Sequence, residues 1–337
     1  MKWLALDIGG ANVKAADGNG YAQSYSFAMW RDWSRLAQQI RAAISEAPPC
    51  DHLAVTMTGE LADCFESKES GVRFILQAVA DGSDNRHTRV YLVDGRLVSP
   101  QVALALPHLV AASNWHALAR FAARYAPQGA ALLIDVGSTT CDIIPLWDGR
   151  PAAKGATDTQ RLQAAELVYT GIERSPICAV VSTVPYRGQT CPVVHEVFAT
   201  MRDAYMILDQ IADDPANTQT PDGKPATRPY ARARLARMIA ADSLEFNHRD
   251  AVALAQAAAE AQISRLAAAI QQVAQELPAA PGTIVLSGHG EFLAHEALQR
   301  SQVGGQVVSL TNELGSAASR SAPAHALAVL AREITAQ

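Results

Sequence analysis

Two short segments, far apart in this 337-residue chain, share one build. The first runs Trp3-Leu4-Ala5-Leu6-Asp7-Ile8-Gly9-Gly10-Ala11-Asn12-Val13-Lys14; the second runs Ala131-Leu132-Leu133-Ile134-Asp135-Val136-Gly137-Ser138-Thr139-Thr140-Cys141-Asp142. Each is an apolar run closed by Asp-x-Gly, a turn of small, amide or hydroxyl residues, and a second apolar stretch. A short apolar run bounded by a turn signal reads as a buried strand. Glycine after the Asp admits backbone conformations closed to other residues and lets main-chain N–H groups approach an anion. A carboxylate beside such a cradle disfavours phosphate by charge, so its presence makes sense if it holds a divalent cation. A duplicated strand–Asp–Gly turn therefore predicts two homologous lobes facing one polyphosphate, with Asp7 and Asp135 supporting the metal.

A third segment, Thr283-Ile284-Val285-Leu286-Ser287-Gly288-His289-Gly290-Glu291-Phe292-Leu293, is again a strand, a glycine turn and a helix-like stretch. A helix N-terminus after Gly290 suits an anion or the edge of a nucleotide. On these segments the chain resembles the actin-like ATPase superfamily, which includes the sugar kinases and Hsp70. Residues Asp7 to Asn12 are similar to its first phosphate loop, and Asp135 to Thr140 to its second. Ser287 to Gly290 stand where that superfamily carries its adenosine loop. Four further segments narrow the resemblance: Thr56-Met57-Thr58-Gly59-Glu60-Leu61, Glu166-Leu167-Val168-Tyr169-Thr170-Gly171, Phe198-Ala199-Thr200-Met201-Arg202-Asp203 and Leu235-Ala236-Arg237-Met238-Ile239. They are similar to the hydantoinase/oxoprolinase-like branch. Within it they look like the family linked to tetrahydromethanopterin-dependent one-carbon metabolism, which includes the archaeal condensing enzyme of methanofuran biosynthesis. The resemblance runs over nearly the whole chain. It implies an α/β fold of two ribonuclease-H-like lobes with a phosphate-binding cleft between them. Residues 1–128 would form the N-terminal lobe, and 129–337 the C-terminal lobe with a helical insertion over 155–280.

Composition agrees with an enzyme that has a large buried core, at 49% hydrophobic and 18% charged residues. A net charge of −5 gives no electrostatic case for nucleic acid or an anionic membrane. No apolar run approaches the ~18 residues of a membrane span, and the N-terminus enters a strand at once, without a signal-like segment. Five cysteines, an odd number without a CxxC pair, fit a reducing cytoplasm better than a disulfide scaffold or zinc ribbon. Cys141, inside the second turn, reads as small apolar filler.

Periodicity supplies the coarse organisation. Trp33–Ala47 reads as a helix, stopped by Pro48-Pro49; His52–Met57 as a strand; Asp148-Gly149 as a hairpin turn. Beyond the second turn the chain reads as helical, with helices over Glu196–Ile211, Tyr230–Ala241 and Arg249–Leu277 and a final one over Pro323–Ile334. Between the first two lies a polar, proline-containing stretch, Ala212–Pro229. Its composition predicts a mobile lid whose Arg228, Lys224 or both swing toward a bound polyphosphate.

The remaining site candidates follow from position. Lys14 sits on the strand after the first turn, where alternation directs it toward the phosphates. Asp142 is a second carboxylate on the returning strand. Glu60 follows a strand and a Thr-Gly turn, a place suited to a general base. Arg161, Glu166 and Tyr169, on one short and partly helical stretch, are expected to form a substrate wall. Gly9, Gly10, Asn12, Gly137, Ser138, Thr139, Thr140, Gly288 and Gly290 are expected to bind phosphate or cofactor.

Three readings of function stay open from the residues. In the first, the loops hold Mg²⁺ and a diphosphate leaving group. The resemblance implies an aminomethylfuran-methyl diphosphate attacked by the phenol oxygen of a tyrosine- or tyramine-derived acceptor. In the second, they hold Mg²⁺ and ATP, and Glu60 or Asp142 activates a hydroxyl for phosphoryl transfer. The third is a non-enzymatic, nucleotide-gated binding or assembly protein. Expected partners are small molecules, the diphosphate and the phenol, with neither nucleic acid nor membrane. Homo-oligomerisation is left open.

Overall fold

The computed structural model describes residues 1–336. The first sheet is built from β1 (Trp3–Ile8), β2 (Asn12–Ala16), β3 (Ala22–Ser26), β4 (His52–Met57), β5 (His87–Tyr91) and β6 (Leu97–Val98), in spatial order β3-β2-β1-β4-β5-β6. The second contains β7 (Ala130–Val136), β8 (Cys141–Trp147), β9 (Arg150–Pro151), β10 (Leu167–Val168), β13 (Thr283–Ser287) and β14 (Gln306–Ser309). Its order is β10-β8-β7-β13-β14, with β9 on β8. A separate hairpin pairs β11 (Thr183–Tyr186) with β12 (Gln189–Pro192). In both sheets the first strand pairs antiparallel with its hairpin partner and parallel with the next strand, which continues in parallel to a fourth. This is the ribonuclease-H-like arrangement, present twice.

Alternation decides which side chains face where. Leu4, Leu6 and Ile8 pack with the helices Leu36–Glu46 and Lys68–Gly82. Trp3 and Ala5 pack on the opposite face with Leu327, Leu330 and Ala331 of the last helix, Ala322–Ala336. In β7, Leu132, Ile134 and Val136 join the core under the long helix His248–Gln275. Leu133 faces the other way, onto Trp115, Leu118 and Phe121 of the helix Asn114–Ala122. The helices 114–122 and 322–336 pack on each other, so the inner faces of the two sheets enclose one helix pair. Asp7 and Asp135 have the parity of those inner faces and stand at the carboxyl ends of their strands.

The expected lobe boundary needs correction for the helices. The chain leaves the first sheet after Val98 and enters the second at Ala130. However, helix 322–336 packs on β1, β2 and β4, while helix 114–122 contacts β8 and β9. Each lobe thus receives a helix from the other's stretch of sequence, because each inner sheet face needs an apolar cover. Three local expectations also change. The expected helix 196–211 covers only Met201–Ile207, because Thr200 and Asp203 form a capping box there. The region expected to be helical contains the β11–β12 hairpin, turned at Arg187 and Gly188, both with positive φ. Of Arg161, Glu166 and Tyr169, only Arg161 is helical, on Asp158–Gln163; the other two flank β10, an edge strand paired with β8.

Among the described residues no helix is long and apolar enough to cross a membrane. All five cysteines are free thiols.

Candidate functional site

The two acidic turns are equivalent in detail. Asp7 lies opposite Lys14 across its hairpin and beside Thr56 on the parallel strand. Asp135 lies opposite Asp142 and beside Ser287. The N–H of Gly9 donates to Asn12 O at 2.9 Å, and that of Gly137 to Thr140 O at 2.9 Å. Ile8 O accepts from Gly59, and Val136 O from Gly290, both at 3.0 Å. By parity, the two inner-face triplets Lys14–Asp7–Thr56 and Asp142–Asp135–Ser287 oppose each other across the helix pair.

Asp7 is buried and Asp135 half-buried, and the buried Oδ1 of each has no hydrogen-bond partner among the described residues. Burial raises the pKa of Asp7, against the pull of Lys14. Asp135 is pushed up to about 7, first by burial and then by the charge of Asp142, with Lys14 pulling partly back. Two carboxylates on facing inner sheet faces, each with a buried oxygen short of a partner, fit a divalent cation. No group of three or more His, Cys, Asp or Glu side chains suited to a metal occurs among the described residues. That is compatible with Mg²⁺, which is commonly held by one or two carboxylates while water and substrate phosphate complete the shell.

The turns also present donors. Among the described residues, the N–H groups of Gly10, Ala11, Ser138 and Thr139 donate to no backbone acceptor. The predicted reason for the glycines needs adjusting: Gly9, Gly10 and Gly137 are not left-handed, and at Gly10 a Cβ would meet open space. The close approach falls elsewhere. A Cβ on Gly171 would stand 2.5 Å from both Ser138 C and Thr139 N, so this glycine seats a neighbouring loop against the second turn. Gly288 does have positive φ, and a Cβ there would stand 2.2 Å from Val136 O.

Three cavities meet these turns. One of about 330 Å³ is lined by Gly10, Thr58, Asp63, Asn114, Thr139, Thr140, Asp142, Arg161 and Tyr169. A second of about 430 Å³ lies against Asn12 and Ser138, and a third of about 740 Å³ lies beyond Gly288 and His289. Lys14 Nζ stands 3.8 Å from Asp7 Oδ2. Asp142 faces the first cavity and is ion-paired with Arg161, which is only 2% exposed and stacks at 4.3 Å on Trp115. Tyr169 is exposed at the rim. Gly290 packs against Val136 and begins the helix Glu291–Ser301.

Two expected roles change. Glu166 is no substrate wall: its carboxylate accepts the N–H groups of Lys154 at 2.6 Å and Gly155 at 3.0 Å, so it shapes the chain before the helix 158–163. Glu60 is buried to 1% exposure behind Leu61, Ala62 and Asp63, which line the cavity in its place. Burial pushes its pKa up to about 7; its own and Ala112's backbone N–H groups and Lys68 pull back, while Asp158 adds to the rise.

A folded-state pKa near 7 against an ordinary 4.5 means that the native state holds a proton which the unfolded chain has released between those values. Native stability therefore falls as pH rises across that window. Glu60→Gln should remove this slope and stabilise the protein at pH 8 by roughly 3 kcal/mol, because each pH unit between the two values is worth about 1.4 kcal/mol. Urea titrations of both proteins at pH 5 and pH 8 measure it; an unchanged difference between the two pH values would contradict this burial.

The stretch 212–229 is pinned rather than loose. Asp214 and Ala226 form a bridge, Gln219 accepts from Ser26 Oγ at 2.8 Å, and Asp222 pairs with Arg234 at 3.0 Å. Arg228 is engaged by Asp209 and Asp213, and Lys224 lies over the Tyr230 ring, so neither matches the expected swing toward phosphate. The loop does cover a cavity, the 430 Å³ one, through Thr218 to Pro221 and Gly223. Positive charge there comes instead from Arg31, Arg174 and Arg202; none is among the expected site residues, although Arg202 lies in the segment Phe198–Asp203 that carries the resemblance. An exposed Trp30 in a polar segment was the available signal: Arg174 stacks on it at 4.2 Å, joining the lobes. Glu173 links Arg202 to His289, 3.1 Å away. Burial opposes its ionisation, but His289 and Arg202 hold the carboxyl well below the usual range.

The sequence model of the hydantoinase/oxoprolinase family matches residues 51–334. A Methanocaldococcus jannaschii protein named (4-{4-[2-(gamma-L-glutamylamino)ethyl]phenoxymethyl}furan-2-yl)methanamine synthase is 29% identical over 330 residues, covering 97% of this chain and 96% of that one. A Methanococcus vannielii protein of the same name is 28% identical over 201 residues, 59% of this chain and 89% of its own. Among solved structures, a ROK family glucokinase from Streptomyces griseus, in complex with glucose and AMPPNP, aligns over 99% of this chain and 100% of its own. Its identity is 14% and its TM-score 0.49.

Proposed function

Because the chain belongs to the hydantoinase/oxoprolinase family, and aligns end to end with a synthase of an aryl ether, we propose that it is an ether-forming transferase of methanofuran-type cofactor biosynthesis. The end-to-end alignment carries this reading. Cutting the phenoxymethyl ether in the relative's product gives a furan-2-ylmethanamine with a 4-methyl carbon and a 4-[2-(γ-glutamylamino)ethyl]phenol. The proposed substrates are the diphosphate ester of that furan-methyl group and that phenol. The phenol oxygen bonds to the methylene carbon, the carbon–oxygen bond to diphosphate breaks with its electron pair, and the phenol proton passes to a base.

The paired turns suit the leaving group. The unengaged N–H groups of Gly10, Ala11, Ser138 and Thr139 receive its oxygens, and Lys14 adds a cation beside Asp7. Asp7 and Asp135 would hold Mg²⁺ through their unpartnered oxygens. Bound there, the ion supplies charge neutralisation to the departing diphosphate. Asp142, on the wall of the 330 Å³ cavity and oriented by Arg161, accepts the phenol proton. A base is useful because a phenol of pKa about 10 is a poor nucleophile at neutral pH. Glu60, closed off from the cavity, has no part in this step.

A second reading, phosphoryl transfer from ATP, is favoured by the 740 Å³ cavity beyond Gly288. One assay separates them. With Mg²⁺, the furan-methyl diphosphate and the phenol, the expected products are the ether and pyrophosphate. With Mg²⁺-ATP and the phenol, the expected result is no ADP. ADP with a phosphorylated acceptor, and no pyrophosphate from the diphosphate, would replace condensation with a kinase. Neither product would favour the non-enzymatic reading.

A further inference from the structure

The 430 Å³ cavity touches the diphosphate turns at Ala11 and Ser138 but extends away from them to a charged wall. Its wall includes Trp30, Glu173, Arg174 and Arg202, with Arg31 and Asp203 already paired to Asp32 and Arg234, and the loop at Thr218–Gly223 roofs it. The Arg174 side chain makes no salt bridge or hydrogen bond among the described residues and stacks on Trp30 at 4.2 Å, while its backbone N–H donates to Ser138 O at 2.9 Å. Arg202 gives one nitrogen to Glu173, while its buried Nη1 has no partner. Two guanidinium groups thus have donors to spare beside one cavity. A planar guanidinium suits the bidentate recognition of a carboxylate or phosphate.

The more exposed of the two acids in the wall, Glu173, decides between those two anions. Glu173 is held ionised by Arg202 and His289, against its burial. An ionised carboxylate beside the ligand repels a phosphate of two charges, but it complements an ammonium group. A wall with both signs fits a zwitterion. The phenol inferred above has one: its γ-linkage leaves the α-carboxylate and α-ammonium of the glutamyl group free.

The cavities also have the right relation to each other. The 330 Å³ and 430 Å³ spaces share Ala11, Trp30 and Arg174 in their linings. An acceptor with its phenol in one and its amino-acid end in the other would cross the Trp30–Arg174 pair.

We infer that the 430 Å³ cavity is the subsite for the α-amino-acid end of the acceptor, with Arg174 and Arg202 on its carboxylate and Glu173 on its ammonium. This rests on the condensation reading for the identity of the acceptor. Arg174 is then a specificity residue: it acts on substrates that carry the glutamyl group and is indifferent to those that lack it.

The experiment compares 4-[2-(γ-glutamylamino)ethyl]phenol with tyramine, the same phenol without the glutamyl group. The wild type, Arg174→Met and Arg174→Lys are assayed with the furan-methyl diphosphate, after thermal melts establish that each variant is folded. The wild type should prefer the glutamyl acceptor in KM. Arg174→Met should cut that preference at least tenfold and Arg174→Lys less, with the KM for the diphosphate unchanged. An equal rise in KM for both acceptors would leave Arg174 a structural prop. A rise confined to the diphosphate would make the cavity a phosphate site. Either result overturns the proposal. Calorimetric binding of the glutamyl phenol, without donor, gives a readout independent of turnover. Binding that is weakened at least tenfold in Arg174→Met, with no ether formed by the wild type, would sink the reaction and keep the subsite. No binding to the wild type would sink the subsite itself.

Discussion

Asp7→Asn and Asp135→Asn should each lower the rate of pyrophosphate release at least 100-fold, roughly 2.7 kcal/mol of transition-state stabilisation, while leaving the empty protein as stable or more stable. The two halves of this result have one cause. Each carboxylate keeps a buried oxygen without a partner, and desolvation raises the pKa of both. In the absence of a cation that arrangement is a cost to folding, and an isosteric amide carries no charge to desolvate. Such groups persist where function needs them and stability does not. Asn retains the hydrogen-bonding shape of the turn but is a far weaker metal ligand. Melting temperatures without Mg²⁺, set beside pyrophosphate release with it, give both numbers. A variant that loses stability in step with activity would make these aspartates structural. Full activity in either variant, or wild-type activity in excess chelator, would remove the metal from the proposal.

These aspartates were legible in the sequence because everything that defines them is local. An apolar run, Asp-x-Gly and a returning strand lie within about a dozen residues, and strand parity alone puts Asp7 with Ala5 and Asp135 with Leu133. The equivalence of Lys14 and Asp142 follows from the same short hairpins. What was not legible depends on distant partners. Glu60 reads as an accessible base from its turn, but the chain around Ala112 and Lys68 closes over it. Glu166 reads as part of a substrate wall until the main chain at Lys154 and Gly155 is seen to occupy it. Trp30 and Arg174 stand on different lobes and become a pair only when the lobes meet. The exchange of helices 114–122 and 322–336 is of the same kind. An amphipathic segment shows that it needs an apolar partner, without showing which sheet supplies it.

The stretch 212–229 is the sharpest case, because its composition is plain in the sequence and its behaviour is not. It has little apolar surface of its own, yet Arg234 holds it. That side chain is fully buried. It donates from Nε at 2.9 Å and Nη2 at 2.6 Å to Asp203 Oδ1, and from Nη1 at 3.0 Å to Asp222 Oδ1 on the loop. Asp203 is itself 1% exposed, and its other oxygen caps the helix 201–207 through the Thr200 N–H at 3.0 Å. Arg234→Met should therefore strand a buried carboxylate and destabilise the protein by about 3–5 kcal/mol. It should also free Asp222 and speed proteolytic cleavage within 216–223. Adding Asp203→Asn to the same chain removes the stranded charge while keeping an oxygen for the cap. The double variant should recover more than half of the lost stability, since residues in direct contact couple. The loop should stay cleavable, because Asp222 still lacks its partner. Urea titration reads the first effect and limited proteolysis the second. Additive losses in the double variant would mean that Arg234 stabilises by packing rather than by pairing. Unchanged cleavage in both would mean that the Ser26–Gln219 contact, not Arg234, holds the loop over the cavity.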